Sequence, residues 1–298
     1  MGEGGERCLI MTFNEKLRSD KFLVTSEIGP PKGIDVREAL EDADLLKGRV
    51  DAINVTDIQS SVMRLGSLAV CRLLKERGHE PIYQLTCRDR NRLALQSDLL
   101  SAAVLGIENV LLLTGDYTTL GDHPQAKPVF DIGSVQLIRV AKTLMEGKDM
   151  VGSELKGTPS FCIGAVVNPG ADPLEPEIMK MAKKIKAGAQ FFQTQAVYDV
   201  EQFKRFLEMA KGLDTVIMAG IVLLKSAGMA KFMNKNVSGV SVPDNLIKEM
   251  EETKNKSETS IEIAARLITE LKPLCRGVHI MPLGWDKKVP AILEKVGL

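Results

Sequence analysis

Val110-Leu111-Leu112-Leu113, followed at once by Thr114-Gly115-Asp116, decides the fold. Four apolar residues in a row leave no polar side for solvent, so a strand built from them is covered on both faces. Parallel sheets have this property, with crossover helices on one face and the sheet's interior on the other. Working outward, strand-like runs alternate with helix-period runs along the whole chain. Upstream, strands are expected over 22–28, 52–56 and 82–85. Helices are expected over about 36–46 and 92–105, with a third between them carrying Val62, Leu65, Ala69 and Leu73 on one apolar face. Downstream, a long loop over 114–133 precedes strands over 161–166, 191–195, 215–219 and 277–281. Their helices are expected over 175–187 and 200–211, then in an expanded stretch reaching Pro273, then over 288–296. Asp199 reads as an N-cap, and Thr259 with Glu262 as a capping box. Eight strand–helix units close most simply into a (βα)8 TIM barrel, a single α/β domain over 21–298 behind an N-terminal extension over 1–20. An open doubly wound sheet is disfavoured, because no GxGxxG follows the first strand.

Composition removes several function classes. The 298 residues exceed the roughly 250 that such a barrel needs. The 39 basic and 39 acidic side chains cancel, so no net field draws the chain to nucleic acid or to a membrane surface. Aromatics at 4% leave few stacking platforms for single strands. No apolar run approaches the roughly 20 residues of a spanning helix, and residues 1–7 do not read as a signal peptide. The cytoplasm is the expected compartment. Cys8, Cys71, Cys87, Cys162 and Cys275 are odd in number and form no CxxC pair, so each is expected to be a buried small apolar residue, with Cys8 the most accessible. His79, His123 and His279 share no ligand spacing, so no protein-bound metal is expected. Tyr83 and Tyr198 are expected to be partly buried rings.

In such barrels functional side chains stand where strands end. Those positions hold Glu27, Thr56, Gln84 to Cys87, Thr114-Gly115-Asp116, Asn168 and Gln193 to Gln195. Two carboxylates among amides and hydroxyls suit a neutral, hydrogen-bonding heterocycle, with one acid to move a proton. Glu27 closes an apolar strand before Pro30-Pro31, where desolvation disfavours the charged carboxylate and leaves it able to donate a proton. The competing reading makes it an ion-pair partner at the rim. Gly115 allows close backbone approach to a ligand, although Gly115-Asp116 also reads as an ordinary turn. Gln195 ends a buried strand with an amide that donates and accepts, or serves as a satisfied core amide. Lys180, Lys183, Lys184 and Lys186 form a mostly solvated helix face, one of which could reach a phosphate.

Five segments together resemble the methylenetetrahydrofolate reductase family. They are Ser26-Glu27-Ile28-Gly29-Pro30-Pro31, Asn54-Val55-Thr56, Gln84-Leu85-Thr86-Cys87-Arg88-Asp89-Arg90-Asn91, Leu113-Thr114-Gly115-Asp116 and 187–195, ending in Gln193-Thr194-Gln195. The resemblance implies a (βα)8 barrel with a non-covalent flavin that reduces 5,10-methylenetetrahydrofolate to 5-methyltetrahydrofolate. By it, Glu27 is the proton donor, Asp116 contacts the pterin and tunes the flavin, and Gln195 binds the pterin. Thr56 contacts the flavin, Lys184 its phosphate, and Phe232 stacks on substrate. Departures fall at Gln84, where a histidine is common, at Thr114, where an arginine precedes Gly115-Asp116, and at Val166, where a tyrosine often stands. These flavin-side changes leave FAD and FMN both open. Gly284-Trp285-Asp286 replaces a segment carrying an arginine, which puts direct use of NADH or NADPH in doubt. The chain is similar to short forms from anaerobes, whose electrons can come from an iron–sulfur partner subunit; a soluble nicotinamide is the other donor, and a homo-oligomer is compatible with either. Two alternatives stay open: a pterin-binding methyltransferase barrel, and a non-catalytic flavin- or folate-docking subunit.

Overall fold

Residues 11–298 are described by the structure, a computed structural model. The chain opens with α1 (Phe13–Arg18), β1 (Leu23–Ile28), α2 (Arg37–Leu45), β2 (Ala52–Val55), α3 (Ser67–Glu76) and β3 (Pro81–Thr86). It continues with α4 (Arg92–Val104), β4 (Asn109–Leu113), α5 (Ser134–Met145), β5 (Cys162–Val167), α6 (Glu175–Ala187), β6 (Phe191–Ala196) and α7 (Val200–Met209). The last part holds β7 (Val216–Val222), α8 (Ala227–Asn236), α9 (Asp244–Glu252), α10 (Lys256–Leu271), β8 (Gly277–Met281) and α11 (Val289–Lys295). All eight strands pair in parallel and in chain order, and β8 closes onto β1 with Leu23 opposite Gly277. The fold is a (βα)8 TIM barrel. Among the described residues no helix is long and apolar enough to cross a membrane.

Side chains alternate across each strand, so every second residue points into the barrel. The lowest inward layer is apolar: Leu23, Ala52, Ile82, Leu111, Cys162, Phe191 and Met218 form one cluster. Phe13 and Leu17 of α1 plug it from below, the Phe13 ring meeting Phe191 edge-on at 5.4 Å. Gly164 makes room for that ring, since a Cβ there would lie 2.2 Å from it. Two residues further up their strands stand Thr25, Asn54, Gln193 and His279, a buried polar layer. Outward residues such as Val24, Val55, Leu85 and Val278 pack under the helices in the main core.

Local signals placed several elements well. Asp199 caps α7 by accepting from the Gln202 N–H at 2.9 Å. Replacing it with Ala is expected to cost about 1 kcal/mol in a denaturant titration. Other expectations need correction. The helix given an apolar face through Val62, Leu65, Ala69 and Leu73 starts only at Ser67, and its buried face is Ser67, Val70, Cys71 and Leu74. Val62 and Leu65 lie in an extended segment, where the Leu65 N–H donates to the Pro31 carbonyl at 2.9 Å, and Ala69 faces solvent. Asn255, rather than Thr259, caps α10 by accepting from the Glu258 N–H; Thr259 lies inside the helix and bonds the Thr253 hydroxyl at 2.7 Å. Helix α5 was passed over in the sequence, although Leu137, Ile138, Val140, Ala141 and Leu144 give it a full apolar face. Tyr83 and Tyr198 are buried entirely rather than partly. Cys71, Cys87 and Cys162 are buried and Cys275 half-buried. Burial pushes the Cys87 and Cys162 thiols up to about 12. Cys8 lies outside the described residues.

Candidate active site

The polar layer has a direct consequence above it. At the C-terminal ends of the strands opens a cavity of about 450 Å³. Glu27, Thr56, Gln84, Thr114, Gly115, Asp116, Val166, Lys184 and Gln195 all line it. Phe232 does not: it stands on α8, 61% exposed.

Glu27 ends the inward row of β1 and is only 7% exposed. Its Oε1 accepts from Gln59 Nε2 at 3.2 Å. Its Oε2 lies 3.8 Å from His279 Nε2, too long for a hydrogen bond. His279 in turn is held from below. Its Nδ1 pairs with the Thr25 hydroxyl at 2.9 Å, Thr25 accepts from Gln193 Nε2 at 3.1 Å, and Gln193 and Asn54 exchange two amide bonds at 2.7 and 3.0 Å. Thr25 and Gln193 thereby fix the imidazole from its Nδ1 side, and its Nε2 faces Glu27. Gln59 and His279 escaped the sequence reading. Gln59 lies three residues past a strand end, and only its period-two place on β8 marks His279 as inward.

Gln59 is carried by an unusual turn. Ile58, Ser60 and Ser61 all have left-handed backbone, with φ of 47°, 55° and 58°. Such conformations cost of order 1–3 kcal/mol each and persist only where the surroundings impose them. Arg88, fully buried, does so: Nη2 donates to the Ile58 carbonyl at 3.2 Å and Nη1 to Ser61 Oγ at 3.0 Å. The same guanidinium pairs with Asp89 at 2.7 Å, and the Ser61 hydroxyl reaches the Asp116 carbonyl at 3.1 Å. One arginine thereby ties the turn that carries Gln59 to the loop that carries Asp116.

Two buried donors also line the cavity. Thr56 Oγ1 is buried and has no hydrogen-bond partner. Lys184 alone of its basic run is buried, with one carbonyl acceptor, Val166 O, at 2.5 Å. Burial, reinforced by the Lys180 charge, pushes it down to about 8. A hydroxyl and an ammonium so placed fit a ligand that brings acceptors and negative charge. Gly115 adopts φ +91°, and a Cβ there would press on Thr86 and Arg88 at 3.1 Å, so a glycine suits this place in the cavity lining. Gln195 is turned into the cavity by an irregularity of β6: the register against β7 shifts between Gln193 and Ala196, and the Gly220 N–H bonds Thr194 Oγ1 at 2.9 Å instead of a strand carbonyl.

A parallel barrel whose polar cavity gathers an acid, a second carboxyl, an amide and free donors is an enzyme-like ligand site at the usual end of this fold. The family model described as methylenetetrahydrofolate reductase matches residues 12–297, and the chain belongs to that family. Among relatives, methylenetetrahydrofolate reductase 2 of Schizosaccharomyces pombe is 24% identical over 78% of this chain and 38% of that protein. The 5,10-methylenetetrahydrofolate reductase of Pectobacterium carotovorum is 27% identical over 83% of this chain and 79% of that one. The chain spans only 38% and 35% of the two S. pombe relatives it matches. A solved structure, an uncharacterized protein from Clostridium thermocellum that binds two copies of 5-methyl-5,6,7,8-tetrahydrofolic acid, shares the fold with a TM-score of 0.65 at 18% identity, over 95% of this chain and 96% of that one.

Proposed function

We propose that this protein is a flavin-dependent reductase that converts 5,10-methylenetetrahydrofolate to 5-methyltetrahydrofolate, with Glu27 as the proton donor. The observation that carries this reading is the convergence of Glu27, Asp116 and Gln195 on one cavity whose lining also holds the unpartnered Thr56 hydroxyl. Its family relatives are named for this reaction, and the C. thermocellum protein of the same fold binds the methylated folate.

Opening the methylene bridge expels the folate's N10, and that departure is faster when an acid protonates the nitrogen. Glu27, shielded from bulk water and with Gln59 fixing one oxygen, is placed to deliver a proton from the other. Gln195 offers an amide that can donate to and accept from a pterin edge. Asp116 gives a second polar contact and, as a carboxylate beside the ring, disfavours negative charge building there. Thr56 hydrogen-bonds the flavin, Lys184 holds its phosphate, and Gln84, Thr114, Gly115 and Val166 shape the pocket around it. Bound reduced flavin supplies hydride to the exposed methylene carbon.

Protein incubated with FMN or FAD should turn yellow, and the colour should bleach on adding 5-methyltetrahydrofolate without oxygen, because the reaction can run backwards. Protein that stays colourless with both, or a flavin that the folate does not bleach, refutes the proposal. Lys184 adds a pH dependence. It is charged below about 8, and an anionic phosphate favours the charged form. Flavin-nucleotide affinity is therefore expected to fall as pH rises through that value. Lys184→Met should weaken binding roughly tenfold at pH 7 and remove the dependence, as measured by fluorescence titration.

A further inference from the structure

We propose that a second cavity, behind Glu27, is a proton-exchange site, in which Asp286 carries protons between solvent and Glu27. This rests on the reading of Glu27 as the proton donor. The cavity has a volume of about 530 Å³ and lies between α2 and the segment after β8. Glu27 and Gln59 line both cavities, so the acid forms part of the wall between them. Four further carboxyls line the second cavity with Lys32 and Arg64: Asp35 and Glu38 are exposed, whereas Asp42 and Asp286 are buried. Asp42 is only 9% exposed, and its Oδ1 has no hydrogen-bond partner. A polar cavity of this size admits water, which can join these groups.

The charged neighbours come from every side. Glu27 faces Asp286 from β1, Asp42 from α2, and Lys225 from the segment after β7; Glu38, Glu41 and Lys287 act on Asp42. Burial first, then the Asp42 and Glu27 charges, push Asp286 up to about 6, against the pull of its own backbone N–H and of Lys225. An ordinary aspartate holds almost no protons near neutrality, whereas this one holds an exchangeable share.

Each reduction breaks the Glu27 O–H bond and the folate's N10–CH2 bond and forms N10–H, leaving Glu27 as a carboxylate. With flavin and folate filling the first cavity, bulk water has no direct approach from the front. Asp286 gives its proton through cavity water to Glu27 and regains one from bulk solvent. No electrons move in this exchange.

The first test uses protein free of flavin and folate. A carbon-13 carboxyl NMR titration should find Asp286 near 6, and Glu27→Gln should lower its midpoint by removing a like charge. An unmoved Asp286 overturns the proposal. The second test measures folate reduction against pH. In the wild type, turnover should fall as pH rises through about 6, because Asp286 must be protonated to deliver. Asp286→Asn should be slower below that pH by on the order of tenfold and flat across it, with KM for folate unchanged. Asp42→Asn, on the opposite wall, should shift the limb to lower pH. An Asp286→Asn variant that keeps the wild-type rate and profile, while Glu27→Gln is inactive, sinks the relay and leaves the reductase reading standing. A wild type that never reduces folate sinks both.

Discussion

Replacing Glu27 with Gln should slow folate reduction by about 10²–10⁴-fold while flavin uptake and chemical reduction of the flavin continue. The substitution is nearly isosteric, and the variant's amide oxygen can still accept the Gln59 bond made at 3.2 Å in the native protein. The turn that carries Gln59 therefore keeps its shape, and Thr25, Gln193 and Asn54 below are untouched. What disappears is the acidic proton aimed at N10. Stopped-flow mixing of the reduced variant with methylenetetrahydrofolate, without oxygen, reads that step directly. If oxidation of the flavin proceeds at the wild-type rate, the proton comes from another group and Glu27 is a structural rim residue after all. The melting temperature separates this outcome from simple unfolding.

The second large effect belongs to stability. Arg88→Met should cost about 3–5 kcal/mol, as expected when one member of a buried charged network is removed. The guanidinium satisfies the Ile58 carbonyl and Ser61 Oγ and pairs with Asp89, and it restrains three left-handed residues that would otherwise relax. Chemical denaturation measures the loss. Arg88→Lys keeps the charge but not the planar fork, so it should recover only part of it. The two variants should also reduce folate poorly in the fraction that stays folded, because Gln59 and Asp116 lose their common anchor. A fully stable Arg88→Met would mean that the turn is held by its own sequence.

Much of this was legible beforehand, for identifiable reasons. Leu111 to Leu113 announced a strand covered on both faces, and strand ends are where this fold gathers its polar residues, so Glu27, Asp116 and Gln195 could be picked out singly and fall together in the cavity. The floor beneath them was hidden. Thr25 and His279 stand 254 residues apart and meet only because β8 closes onto β1, a pairing that no local pattern encodes. Arg88 read as one more charge in a loop, since burial of an arginine depends on carbonyls supplied from two other loops. Among four closely spaced lysines the spacing selects none; the resemblance names Lys184, and the way α6 lies on the barrel buries it alone. The missed α5 and the misplaced start of α3 have the opposite cause: apolar spacing was followed across a turn at Val62 and neglected after the long loop.

The layered interior has an evolutionary corollary. Asn54, Gln193 and Thr25 satisfy one another with neutral groups, and the plug from α1 seals the storey below. Residues at the open end can therefore be exchanged one at a time without rewiring what supports them. A lineage can change what the mouth of the barrel binds on such a foundation while the storeys below stay as they are.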